Sequence, residues 1–274
     1  MPTQNNYIIP YLPAGIGTYL LDYSIVELDA LNKINTFKMT NYVVCIDGLA
    51  GVGKSTLGKK LSQNLQIPHI SSGIFYRIFA YIISSTKIEF THENIIKLRK
   101  SITFNIIDMA LVVYFDLVEI ESSKLHNQEV DGVLSKYSKD LFFRSQITEI
   151  LNDMVVNIQE PFILDLRGAS PEYVLMLERV GRPVIRLYIH VKLEVKAIRR
   201  FEEYEAKNEI GLNIKTIESD IERRDMQDRE SIIKTNLSLI HEKSGIIDNS
   251  YLTQDQMYLM SLKYILECLT SVKI

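Results

Sequence analysis

Five short apolar runs punctuate the chain: Tyr42-Val43-Val44-Cys45-Ile46, Ile67-Pro68-His69-Ile70, Pro161-Phe162-Ile163-Leu164-Asp165, Pro183-Val184-Ile185-Arg186-Leu187-Tyr188-Ile189 and Gly245-Ile246-Ile247-Asp248. Most are continuous rather than alternating, as strands buried on both faces are. Helical stretches separate them. They run from Thr56 through Leu61, from about Ile74 to Ser84, from Lys139 to about Val156, at about 191–208 and 214–230 (both highly charged), and at about 253–270. Strands alternating with helices predict an α/β fold, a five-stranded parallel sheet covered by helices on both faces. Residues 101–120 break the pattern. There Ser101-Ile102-Thr103-Phe104-Asn105-Ile106 and Val112-Val113-Tyr114-Phe115-Asp116-Leu117 alternate only in part and predict short strands joined by turns, a β-rich insertion. No internal repeat, low-complexity tract or flexible linker interrupts the rest.

The first 38 residues precede the strand that opens such a fold. They are apolar in places (Tyr7-Ile8-Ile9-Pro10, Tyr19-Leu20-Leu21) and lack a basic start, so they do not read as a signal peptide. Two readings stand. Either the working protein begins near Met39 and the extension is dispensable, or the extension is a packed element or a partner-binding arm. Residues 39–274 carry the core in both.

The chain has 274 residues, enough for one domain with insertions. Its 46% hydrophobic and 24% charged residues are ordinary for a globular protein with a real core. A net charge of −3 gives no reason to expect a nucleic-acid polymer as partner, so any phosphate recognition must come from a few placed arginines. Cys45 and Cys268 are the only cysteines, and Cys45 lies in the first strand. A disulfide framework is not expected, and a reducing, cytoplasmic setting fits. The five histidines have no metal-ligand spacing. No apolar run is long enough to cross a membrane. A monomer is expected.

Candidate chemistry begins at Gly48-Leu49-Ala50-Gly51-Val52-Gly53-Lys54-Ser55, which fits G-x-x-x-x-G-K-[ST], a phosphate-wrapping loop. A strand precedes it and a helix follows. By composition alone such a match arises about once in a hundred chains of this length. Glycines at Gly48, Gly51 and Gly53 let backbone N–H groups turn onto phosphate oxygens, and the helix N-terminus adds partial positive charge. Lys54 reaches the β- and γ-phosphates in such loops, and Ser55, followed by Thr56, holds Mg²⁺. The chain therefore reads as a binder of ATP or a similar nucleoside triphosphate.

Other residues bear on the reaction. Asp165 ends a strand expected beside the P-loop strand, the place for a carboxylate that orients Mg²⁺ through water. Arg77 follows a short strand and turn, and Arg167 follows Asp165 by two residues. Both point to the sheet end where open α/β folds bind ligands. Arg224 and Asp228 are four apart and share a helix face, as do Asp225 and Arg229. That charged stretch stands where a lid belongs.

Taken together, these motifs resemble those of the bacterial-type cytidylate (CMP/dCMP) kinases, a family of P-loop nucleoside monophosphate kinases. The resemblance runs from about Tyr42 to the C-terminus. It is carried by Ile46-Asp47 and the P-loop, Ser72-Gly73-Ile74-Phe75-Tyr76-Arg77, Asn127-Gln128-Glu129-Val130 with Ser135 and Arg144, Asp165-Leu166-Arg167, Ile221-Glu222-Arg223-Arg224-Asp225-Met226-Gln227-Asp228 and Ile247-Asp248. It implies a P-loop kinase fold, with a β-rich NMP-binding insertion at about 101–143 and a helical lid at about 200–232. It implies transfer of the ATP γ-phosphoryl group to a pyrimidine nucleoside monophosphate, with Mg²⁺. Ser72 and Arg144 would contact the cytosine edge. Ser135, Arg224 and Asp228 would hold the sugar, Arg224 also lying near phosphate. Arg77 and Arg167 would grip the acceptor phosphate, Lys54 would bridge donor and acceptor, and Arg199 would lie against the adenine.

The chain departs from the family pattern at three places. Gly168 replaces an acidic residue that accepts from the cytosine amino group, Ser231 replaces a lid arginine, and His126 replaces an arginine before the Glu-Val segment. Loss of a hydrogen bond to a charged acceptor costs about 1.5–3 kcal/mol, so cytosine selectivity is expected to be weaker or built differently. Arg229 or Arg223 is the replacement candidate for the lid charge. These departures keep two alternatives open: a kinase of the same build with another acceptor, and a catalytically weakened nucleotide-binding regulator.

Overall fold

The computed structural model describes residues 23–37, 41–166, 177, 179–206, 213–233 and 244–271, with the side chains at 23–26, 155, 224 and 227–233 outside the description. Five parallel strands form the central sheet: β1 (Val43–Asp47), β2 (His69–Ser71), β6 (Phe162–Asp165), β7 (Val184–His190) and β8 (Gly245–Asp248), in the order β2-β6-β1-β7-β8. Every neighbouring pair is parallel, with Val43 opposite Phe162 on one side and Val184 on the other. Strand β1 is buried at all five positions, as its unbroken apolar run requires.

The period of two along β1 sorts its side chains between two cores. Val43 and Cys45 join one cluster, while Val44 and Ile46 join the other. Helices α2 (Lys54–Leu65) and α9 (Gln254–Ser271) supply much of the second cluster. Helices α3 (Gly73–Thr86), α4 (His92–Ser101), α5 (Gln128–Tyr137) and α6 (Leu141–Asn157) enclose the first. Helices α7 (Leu193–Ala206) and α8 (Ile214–Ile233) pack on each other as the expected charged pair.

The insertion is a three-stranded antiparallel sheet, β3 (Ile102–Ile107), β4 (Ala110–Phe115) and β5 (Val118–Glu119). Two-residue turns at Asp108-Met109 and Asp116-Leu117 join it, all four residues at positive φ. Positive φ at both central positions gives a turn whose twist matches that of the strands. After the strands the insertion becomes helical at α5, so only the first part of 101–143 is β-rich. Helix α4, with Ile95 and Leu98 buried, lies just ahead of it in a stretch the periodicity left unassigned.

Helix α1 (Tyr23–Asn35) precedes the sheet and packs on α9 and α2. Its Ile34 is fully buried in the second core cluster. This part of the N-terminal extension is a packed element. A buried arginine, Arg182, ties the opposite end of the sheet. It donates to the carbonyls of Asn41 and Glu160 at 2.9 Å, and to that of Ile158.

Candidate active site

Strand β1 lies between β6 and β7, so the crossover direction changes at β1. Ligands of open α/β sheets bind beyond the strand C-termini at such a point. The P-loop leaves β1 there. Gly48 has φ +144°, and a Cβ on it would meet the Ile189 carbonyl oxygen at 2.4 Å. Only glycine lets the loop begin this close to the end of β7. The Gly48 N–H donates to the Asp47 carboxylate at 2.6 Å, which fixes the first turn. Helix α2 then starts at Lys54 with no side-chain cap, so its first N–H groups face the loop and suit an anion. Lys54 is buried, and its Nζ donates to the carbonyls of Gly48 and Leu49, each at 2.8 Å.

Ser55, in the first turn of α2, donates through Oγ to Oδ2 of Asp165 at 2.5 Å. Asp165 ends β6, next to β1, and is buried. A hydroxyl and a carboxylate meeting at the mouth of a P-loop are hard oxygen donors, the chemistry Mg²⁺ takes. That ion usually binds through one or two protein ligands and keeps several waters. These residues fit it. Among the described residues no cluster of three or more His, Cys, Asp or Glu offers another metal site.

Ser72, expected on the acceptor side, stands at the same end. The Ser72 N–H donates to the Asp165 carbonyl at 2.9 Å, which fixes the start of α3 beside β6. Arg77 lies on that helix and donates through Nη1 to the Leu125 carbonyl and to Oδ1 of Asp131, both at 3.0 Å. Asp131 belongs to α5, so these bonds draw the Glu129-Val130 helix against the Tyr76-Arg77 helix. Phe143, beside Arg144 on α6, packs edge-on against Tyr76 and Phe79, with ring centroids 5.9 and 5.5 Å apart. Helices α3, α5 and α6 thus carry Ser72, Arg77, Ser135 and Arg144 as one packed group. Ser135 is exposed and Arg144 half-buried.

Arg199 of α7 donates to the Asn249 carbonyl at 2.7 Å, and Nδ2 of Asn249 donates to the Val52 carbonyl at 3.0 Å. This chain of contacts joins Arg199 to the P-loop. Arg167 and Gly168 lie outside the described residues, as do the side chains of Arg224, Asp228, Arg229 and Ser231. Asp225 forms a buried ion pair with Lys196 of α7. Arg223 pairs with Asp220 at 3.1 Å on the exposed face.

Several contributors escaped the sequence reading: Asn249, Asp131, Lys196 and His69. Of these only Lys196 left a trace, standing between Val195 and Ala197 on the apolar face of α7. His69 lies on β2 with its side chain nine-tenths buried, and its Nε2 is 3.9 Å from Oδ2 of Asp165. Burial holds its imidazole below the ordinary histidine range. The Asp165 carboxylate pulls the other way, and Lys59 adds to the lowering.

Among the described residues no helix is long and apolar enough to cross a membrane. Residues 44–267 match the cytidylate kinase family. A cytidylate kinase of Mycoplasma capricolum subsp. capricolum is 27% identical over 220 residues, 80% of this chain and 93% of its own length. One from Buchnera aphidicola subsp. Baizongia pistaciae is 29% identical over 237 residues, 85% of this chain and 97% of its own. Among solved structures, the shikimate kinase from Acinetobacter baumannii in complex with shikimate superposes at a TM-score of 0.44 with 15% identity, covering 88% of this chain and 99% of that one, too loose a likeness to bear on function. The P-loop, the Ser55–Asp165 contact and the packed α3–α5–α6 group stand in one chain that matches this family from the first strand to the last helix: the protein belongs to the cytidylate kinases.

Proposed function

We propose that this chain transfers the γ-phosphoryl group of ATP to CMP or dCMP, giving ADP and CDP or dCDP. The observation that carries the reading is the junction at Asp165. Its carboxylate accepts from Ser55 of the P-loop helix while its carbonyl accepts from Ser72 of the acceptor helix. One residue therefore ties the donor half of the site to the acceptor half. Membership of the cytidylate kinase family supports the choice of acceptor.

Phosphoryl transfer asks the protein for positioning and positive charge rather than covalent chemistry. The P-loop N–H groups from Gly51 to Thr56 hold the β- and γ-phosphates. Lys54 exchanges its loop carbonyls for phosphate oxygens and spans donor and acceptor. Arg77, Arg167 and Arg224 clamp the acceptor phosphate in bidentate contacts suited to guanidinium groups. Ser72 and Arg144 read the cytosine edge, Ser135 and Asp228 hold the sugar, and Arg199 lies on the adenine. An oxygen of the acceptor phosphate attacks the γ-phosphorus in line, and the bond to the β–γ bridging oxygen breaks. Ser55 and Asp165 are the residues that would hold Mg²⁺, Asp165 through water, and the ion would supply charge neutralisation on the β- and γ-phosphates. Residues at about 101–143 serve as the acceptor-binding insertion and those at about 200–232 as the lid that excludes water. The protein works as a cytoplasmic monomer on small nucleotides.

A coupled assay of ADP release tests this across CMP, dCMP, UMP, dTMP and AMP. The expected outcome is a kcat/KM for CMP or dCMP at least about tenfold above the rest. Preference for another monophosphate assigns the same chemistry to a different acceptor, the outcome Gly168 makes specific. ATP binding without turnover of any of them contradicts the reading.

A further inference from the structure

We propose that His69 is a positioning residue for the magnesium-supporting carboxylate, its Nε2 acting as a second hydrogen-bond partner for Oδ2 of Asp165. The inference rests on the reading of Ser55 and Asp165 as the site of nucleotide-bound magnesium. Three observations carry it. The His69 side chain is nine-tenths buried, and its Nε2 has no hydrogen-bond partner among the described residues. A buried polar atom left this way is costly, and such atoms in native proteins call for an explanation. That atom stands 3.9 Å from Oδ2 of Asp165, about 1 Å beyond hydrogen-bond length. The ring also fits only because of a particular neighbour. A Cβ on Gly58, one turn along α2 from Ser55, would come within 2.4 Å of Nε2 and 2.6 Å of Cδ2. Glycine in a helix interior is unfavourable, so the P-loop helix gives up stability at the place where it admits this imidazole.

The chemistry follows. A carboxylate oxygen accepts more than one hydrogen bond. Oδ2 of Asp165 already accepts from Ser55 at 2.5 Å. Nε2 approaches the same oxygen from β2, a strand whose Ser71 lies opposite Asp165 in the sheet. A small movement of the carboxylate makes the second bond, and Asp165 is then fixed from the P-loop helix and from β2 together. Partners that orient metal-supporting groups are commonly worth tenfold or more in metal affinity.

The test is magnesium-dependent ATP binding by the full chain, without acceptor, followed by equilibrium fluorescence or calorimetry as Mg²⁺ is titrated. His69→Leu keeps an apolar filling and removes Nε2, and His69→Gln returns an amide near its place. The expected result for His69→Leu is a rise of roughly fivefold to tenfold in the Mg²⁺ concentration that half-maximally tightens ATP binding. Magnesium-free ATP binding stays as in the parent, and His69→Gln recovers most of the loss. An unchanged magnesium requirement in His69→Leu overturns the proposal. So does equal weakening with and without Mg²⁺, or a loss in His69→Gln as large as in His69→Leu, because either is what a merely structural role gives. If the parent chain shows no magnesium-dependent tightening at all, the nucleotide-site reading fails, and this inference with it.

Discussion

Arg77 is held by a backbone carbonyl and a carboxylate, Leu125 and Asp131, both at 3.0 Å. The ion pair is part-exposed, 29% for Arg77 and 61% for Asp131, and pairs of this kind contribute about 1 kcal/mol or less. On the proposed role of Arg77, an incoming phosphate dianion has only this weak pair to displace. Arg77→Ala is expected to lower kcat by about a thousandfold, the scale of a guanidinium that meets transition-state charge, with the melting temperature nearly unchanged. Near-parental turnover in a folded variant removes Arg77 from the acceptor clamp. At this scale the P-loop was legible because its signal is local: glycines, a lysine and a serine lie in one loop between a strand and a helix. Asp165 was legible from its strand end. His69, Asp131 and Asn249 were not. Asp131 meets Arg77 across 54 positions and Asn249 meets Val52 across 197, and no spacing rule reaches that far.

The five core strands were readable as elements because burial on both faces leaves an unbroken apolar run. Helix α4 was not, although its start carries a usual signal: Thr91 Oγ accepts from the Asn94 N–H at 3.2 Å, and Glu93 sits in the first turn. With only Ile95 and Leu98 buried, its apolar face is too thin for periodicity to register. The hairpins of the insertion also lacked their signal, since their turns use Asp-Met and Asp-Leu rather than the asparagine–glycine pair that marks such turns. Helix α1 separates the two readings of the N-terminal extension. Ile34 is fully buried, and Ala30 lies beside it in the second core cluster. Ile34→Ala is expected to cost about 2–4 kcal/mol, as buried Ile-to-Ala changes do, measured by urea unfolding. A cost under about 0.5 kcal/mol returns α1 to the status of a dispensable appendage.

Across the molecule, the strand order does the positioning. Because β1 sits between β6 and β7, the P-loop, Asp165 and the start of α3 converge at one end of one sheet, while Arg182 secures the other end. The α7–α8 pair is joined by the buried Lys196–Asp225 contact, so the charged helices move or stay as a unit. Removing one partner of a buried pair is far costlier than replacing both, which makes this contact a fixed joint within the proposed lid. The sheet, its insertion and the helix pair were all foreseeable from apolar patterning, since each is a layer that has to bury a face. What patterning left open is how the donor and acceptor halves meet, because that depends on the Asp165 junction. The most direct test of the account follows the phosphorus itself. ATP carrying a radiolabelled γ-phosphate, incubated with the protein, Mg²⁺ and CMP, is expected to yield CDP labelled in its β-phosphate, with little label in free phosphate. Label appearing only in inorganic phosphate, or none leaving ATP, contradicts it.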